Sequence, residues 1–144
     1  MNDSLKTFAT IAGRVLLALI FITSGFSKLT GIEGTAGFIG SAGLPAPALL
    51  AGLAGTLELV AGLALVIGFK ARWAAFALAA FTLLATLVFH AYWSVPAEQQ
   101  YVQQLMFMKN VSILGGLLFL AALGPGAFSF DARRAAPEVS LVTA

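Results

Sequence analysis

The sequence holds no cysteine, one histidine and few charges, with 8 Lys and Arg against 6 Asp and Glu in 144 residues. Without cysteine, disulfide exchange, thiolate catalysis and Cys-based zinc or iron–sulfur sites are excluded. A single histidine excludes a multi-His metal site, so no metal centre is expected. The formal charge of +2 is too small a basic excess to argue for nucleic acid. No glycine-rich phosphate loop, nicotinamide or flavin fingerprint, or haem motif occurs either.

What the chain has in abundance is apolar side chains. They make up 60% of it, with 10% charged, against about 45–50% and about 25% in a soluble domain. A single domain over 1–144 has too large a surface-to-volume ratio to hide that much apolar area from water. Its solvent is therefore the lipid bilayer. The fold class expected is an all-α membrane protein, a bundle of four transmembrane helices.

Four apolar stretches run over Phe8–Lys28, Ala48–Phe69, Trp73–Trp93 and Leu105–Leu123. Each is close to the ~20 residues that cross a ~30 Å hydrocarbon core. Gly43-Leu44-Pro45-Ala46-Pro47 starts the second helix, and Gly124-Pro125-Gly126 stops the fourth. Gly68 with Lys70 and Arg72 makes a tight basic turn. Trp73 at one end of the third span, and Tyr92 and Trp93 at the other, suit interfacial aromatic belts. A short interfacial helix is expected around Ile32–Ser41, and mobile ends over Met1–Leu5 and about 132–144.

Charge sets the orientation. Lys6, Arg14, Lys70, Arg72, Arg133 and Arg134 gather on one side, while Lys28, at a helix end, and the acids Glu33 and Glu98 lie on the other. Basic residues accumulate in cytoplasmic loops, so both termini are expected inside, in a bacterial cytoplasmic (inner) membrane. The first span lacks a small-x-small cleavage site and ends in Lys28, which argues against a cleaved signal peptide.

Some charges must then lie within the membrane. Counted from the cytoplasmic edge at 1.5 Å per residue, Arg14 comes at ~9 Å, Glu58 at ~15 Å, Lys109 at ~21 Å, His90 at ~25 Å and Lys28 at ~30 Å. Buried charges at such depths cost ~2.5–3.5 kcal/mol each, so they pair or serve a function. Glu58 is expected ionised and paired with Arg14, Lys109 or both. Glu58 shares a helical stripe with Ala51, Gly55 and Gly62, and Arg14 one with Phe21, Gly25 and Lys28. The candidate catalytic cluster is Glu58, Lys109, His90 and Arg14. The candidate ligand-binding residues are Lys109, His90, Asn110 and Lys28. Against this stands a plainer reading in which the ion pair only fixes helix register, His90 is interfacial and Lys28 is a helix-end anchor.

These residues, in this order, resemble the DoxX family of small bacterial membrane proteins. The resemblance rests on Arg14 with Ser24-Gly25-Phe26-Ser27-Lys28-Leu29, and on Glu58 within Leu57-Glu58-Leu59-Val60-Ala61-Gly62-Leu63. It continues through His90, Met108-Lys109-Asn110 and Gly124-Pro125-Gly126 to Ser129-Phe130-Asp131, where Phe130 stands in place of an expected leucine. The resemblance implies a four-helix bundle of the cytoplasmic membrane, in a family linked to thiosulfate:quinone oxidoreductase and to membrane redox complexes. The expected function is a subunit of a membrane oxidoreductase that binds a quinone or similar lipophile between its helices. Two alternatives remain: a non-catalytic anchor or assembly partner for another protein, and a small proton-coupled transporter. A homo-oligomer fits either.

Overall fold

The computed structural model describes residues 2–135. Its long helices are α1 (Asp3–Thr30), α3 (Pro47–Ile67), α4 (Ala71–Phe89) and α5 (Ala97–Leu123), with short helices α2 (Ile32–Ser41) and α6 (Phe130–Ala135). Among the described residues, the four long helices, α4 with the turn that follows it, are long and apolar enough to cross a membrane.

The helices outrun the apolar stretches that mark them. Asn2 caps α1 by accepting from Leu5 N–H at 3.0 Å, and Asp3 sits in the first turn, so the helix begins at Asp3, five residues before the apolar stretch. Pro96 stands at the N-cap of α5, which therefore begins eight residues before the stretch Leu105–Leu123. Its first two turns carry Glu98, Gln99, Gln100, Gln103 and Gln104, good helix formers that hydropathy alone does not count. The segment 94–104 between the third and fourth apolar stretches is thus mostly helix, after a 3₁₀ turn at Tyr92–Ser94. Residues 132–135 of the expected tail belong to α6. The rest of that tail and Met1 lie outside the described residues.

Packing is uneven around the bundle. α1 and α3 make the most extensive contact, α4 packs on α5, and α3 joins the two pairs. α1 and α5 barely touch, which leaves a seam between them. The interior is built of small residues with a few large ones: Ala18, Phe21, Leu65, Ala75, Leu78 and Leu117. Small side chains let backbones approach, which drives helix association where lipid removes the hydrophobic gain. Leu16, Phe76, Phe119 and Leu123 point outward and are largely exposed, a surface stable only against lipid.

Three glycines set the α1–α3 contact. A Cβ on Gly25 would lie 2.6 Å from Leu59 N and 2.7 Å from Gly55 O. One on Gly62 would lie 2.9 Å from Ile22 Cγ1, and one on Gly55 2.9 Å from Leu29 Cγ. The antiparallel register follows: Ile22 is level with Gly62, Gly25 with Leu59, and Leu29 with Gly55.

A clamp closes the basic end. The Arg14 guanidinium donates to Pro125 O at 2.8 Å and Phe128 O at 3.1 Å. The Asp131 carboxylate accepts from Lys70 N–H at 2.8 Å and Ala71 N–H at 2.9 Å, capping α4 from a distant segment. Gly68 turns the chain at φ 71°, with the Arg14 guanidinium 2.8 Å from where a Cβ would stand.

Candidate functional site

The α1–α3 register decides the partner of Glu58. Glu58 lies level with Phe26, so Ser24 and Lys28, one turn apart on α1, flank it above and below. Helical side chains lean toward their own N-terminus. In an antiparallel pair Lys28 therefore leans down and Glu58 leans up, and they meet. Lys28 Nζ stands 2.7 Å from Glu58 Oε2. The Ser24 hydroxyl is 3.2 Å from both carboxylate oxygens and donates to them. Lys28 also donates to Ser24 Oγ, closing a triangle. Glu58 is nearly inaccessible, its side chain 7% exposed against 25% for Lys28.

This corrects the expected pairing of Glu58 with Arg14 or Lys109. Arg14 is buried at the basic end, where all its hydrogen bonds go to loop carbonyls. Counting depth from Phe8 misplaces α1 by about six residues, ~9 Å, because its guanidinium reaches the Gly68 turn. Lys28 falls correspondingly deeper, and it is an ion-pair partner rather than a helix-end anchor. Lys109 is not within pairing distance of Glu58. Its ammonium lies 3.3 Å from Met106 Sδ.

Lys109 and Glu58 nevertheless border the same space. A cavity of about 270 Å³ opens at the α1–α5 seam, in the half of the bundle away from the clamp. Its polar wall comprises Ser24, Lys28, Thr35, Glu58, Thr82, His90, Lys109 and Asn110. The rest is mostly apolar, and includes Phe21, Phe81, Ile113, Phe38 and Phe89. Those last two rings stack at 5.1 Å between centroids, so α2 roofs the cavity. Ile20 and Lys109, on facing helices, are both exposed, so the cavity opens sideways toward lipid.

His90 ends α4 and is held by its ring: Nδ1 lies 2.8 Å from Gln103 Oε1. An amide oxygen only accepts, so in the neutral imidazole this bond places the proton on Nδ1 and makes Nε2 the acceptor. Thr82 is a wall residue that the sequence did not flag. It is 5% exposed, and its Oγ1 has no hydrogen-bond partner. Ser24 was likewise missed as a functional residue, although its one-turn spacing from Lys28 was the available signal. Among the described residues no three His, Asp or Glu gather as a metal site would need.

The structure thus brings Glu58, Lys28, Lys109, His90 and Asn110 around one cavity and leaves Arg14 outside it. The DoxX family profile matches residues 9–91. The chain belongs to the DoxX family. A profile described as the SURF4 family matches residues 51–136. Inner membrane protein YqjF of Escherichia coli is 39% identical over 127 residues, covering 88% of this chain and 92% of that protein. Inner membrane protein YphA of the same organism is 38% identical over 123 residues, covering 85% and 88%. The Surfeit locus protein 4 homolog of Schizosaccharomyces pombe is 32% identical over 131 residues, covering 90% of this chain but 38% of that protein. No solved structure matches the chain. As a DoxX protein with four apolar spans, it is a multi-pass membrane protein of the inner membrane.

Proposed function

We propose that this DoxX protein is a quinone-binding or lipophile-binding subunit of a membrane redox system, set with both termini on the cytoplasmic side. The observation that carries the proposal is the composition of the seam cavity. It has apolar walls, a sideways opening to lipid, and donors and an acceptor converging from α1, α4 and α5. Ligand sites of this kind are mostly apolar with a few polar groups that fix orientation. At about 270 Å³ the cavity accommodates a ring-sized head group while an isoprenoid tail stays in the bilayer.

The residues fit a quinone head. Lys109 and the Asn110 amide supply donors to a carbonyl oxygen. His90 Nε2 supplies an acceptor for a ring hydroxyl and a place to hold its proton. The Glu58–Lys28–Ser24 triangle holds the α1 wall in register from one side, so the cavity keeps its shape whether or not it is filled. A bound quinone supplies the two-electron chemistry. Electrons come from a second subunit, since this chain carries no other redox motif.

The plainer reading, an anchor or assembly partner whose buried charges only lock the helices, is supported by the triangle alone. It gives no role to Lys109, His90 or Thr82. Native mass spectrometry of the detergent-purified protein, followed by identification of co-purifying lipids, separates the two. A stoichiometric quinone that is lost from Lys109→Ala or His90→Ala supports the redox reading. A clean protein retaining a stoichiometric protein partner supports the anchor.

A further inference from the structure

The charges around the cavity do not balance. Glu58 is the one acid on its wall, and both its oxygens are taken by Lys28 and Ser24. The Lys28–Glu58 pair is neutral as a unit. Lys109 then stands as an additional cation. Among the described residues the ion pairs are Lys6–Asp3 and Lys28–Glu58, and no carboxylate lies within pairing distance of Lys109. Its neighbour is a thioether, a weak acceptor.

Lys109 stands five residues, ~8 Å of helix, from Gln104, the last of the polar residues that open α5, and 15 residues, ~22 Å, from Gly124, with its side chain on the cavity wall. An unpaired ammonium there, on a lipid-open cavity, calls for a counter-charge that none of the described residues provides. Thr82 Oγ1 is a second unmet group in the same wall, 5% exposed and without a partner. A head group with two oxygens answers both, one on Lys109 and one toward Thr82 after a small shift of the wall.

We infer that the cavity selects lipophiles whose oxygen head carries one negative charge, as a carboxylate or an acidic ring hydroxyl does, over neutral heads of the same shape. The inference rests on the reading of the cavity as a lipophile site and narrows its ligand class. Neutral quinones then bind as the weaker class. The tail leaves between α1 and α5 past Ile20, and the head stops at Lys109, with His90 Nε2 turned toward any hydroxyl beside the charge.

The test uses the intact protein in phosphatidylcholine nanodiscs, with spin-labelled stearate, its methyl ester and a short-chain ubiquinone as probes. Electron paramagnetic resonance reads the immobilised fraction of each labelled probe, and the quinone is scored as a competitor. The acid is expected to bind at least tenfold more tightly than the ester. In Lys109→Gln that preference should fall to within about twofold, while Lys109→Arg keeps it and Lys70→Gln, at the other end of the bundle, leaves it unchanged. Because Lys109→Arg retains the charge, its result stands even if Lys109→Gln folds poorly. Equal binding of acid and ester overturns the inference, as does a preference that survives Lys109→Gln. If native mass spectrometry retains a stoichiometric quinone while neither labelled probe is immobilised, the quinone reading stands and the inference falls. If none of the three binds, both fall together.

Discussion

Lys28 Nζ and Glu58 Oε2 lie 2.7 Å apart across the α1–α3 interface, with the Glu58 side chain almost wholly buried. Breaking a buried pair by removing one partner strands the other charge, at a cost of ~3–5 kcal/mol, whereas replacing both by apolar groups is often neutral. Lys28→Met and Glu58→Leu should each therefore destabilise the protein strongly, and the double variant should recover most of the loss. Denaturant titration in detergent micelles, run as a double-mutant cycle, reads the coupling. The same cycle with Arg14 in place of Lys28 should give additive effects, because Arg14 and Glu58 share no partner.

Gly25 is fixed by backbone rather than by side chains. Its Cβ would press on Leu59 N and Gly55 O, neither of which can turn aside. Gly25→Ala should cost ~1–3 kcal/mol by forcing α1 and α3 apart. Gly115, with open space around its Cβ position, is the control. Gly115→Ala should be neutral or gain up to about 1 kcal/mol from helix propensity. Thermal unfolding followed by circular dichroism compares the two.

Asp131 is the device that ties α6 to the start of α4. Asp131→Ala removes the acceptors of Lys70 N–H and of Ala71 N–H, the latter on a fully buried residue. Leaving such donors unmet costs ~1–3 kcal/mol. The expected signature is faster amide exchange confined to the Lys70–Trp73 turn and α6, with the Lys28–Glu58 region unchanged. Hydrogen exchange with mass spectrometry measures it.

Orientation is testable without background because the chain has no cysteine. Single cysteines at Lys6 and Lys70 should react with a membrane-impermeant maleimide only in inverted vesicles. Cysteines at Glu33 and Glu98 should react in intact spheroplasts. The opposite pattern would reverse the assigned orientation and leave the fold untouched.

The spans were legible in the sequence because hydropathy reports the lipid-facing and core residues together, and Gly68, Pro96 and Gly124 punctuate them. Their ends were not. The glutamines that open α5 and the Asn2 cap act through hydrogen bonding, which hydropathy does not register. The stripes Gly25–Lys28 and Gly55–Glu58–Gly62 were also visible, and they are the two surfaces that meet. Their register was missed because depth was counted from Phe8 as though each helix began at one plane. The real offset is set by Arg14 reaching the Gly68 turn. Thr82 carried no signal at all, since a lone threonine in an apolar helix ordinarily bonds back to its own backbone, as Thr86 does to Thr82 O.

The central claim is that a lipophile occupies the seam between α1 and α5 at Lys109. Photoaffinity labelling with an azido-quinone in native membranes, followed by peptide mapping, tests it most directly. Labels concentrated on Phe81–His90 and Lys109–Ile113, and competed away by unlabelled quinone, are the predicted result. Labels spread over outward-facing residues such as Leu16, Leu53 and Phe76, without competition, would contradict the claim and return the buried charges to a purely architectural role.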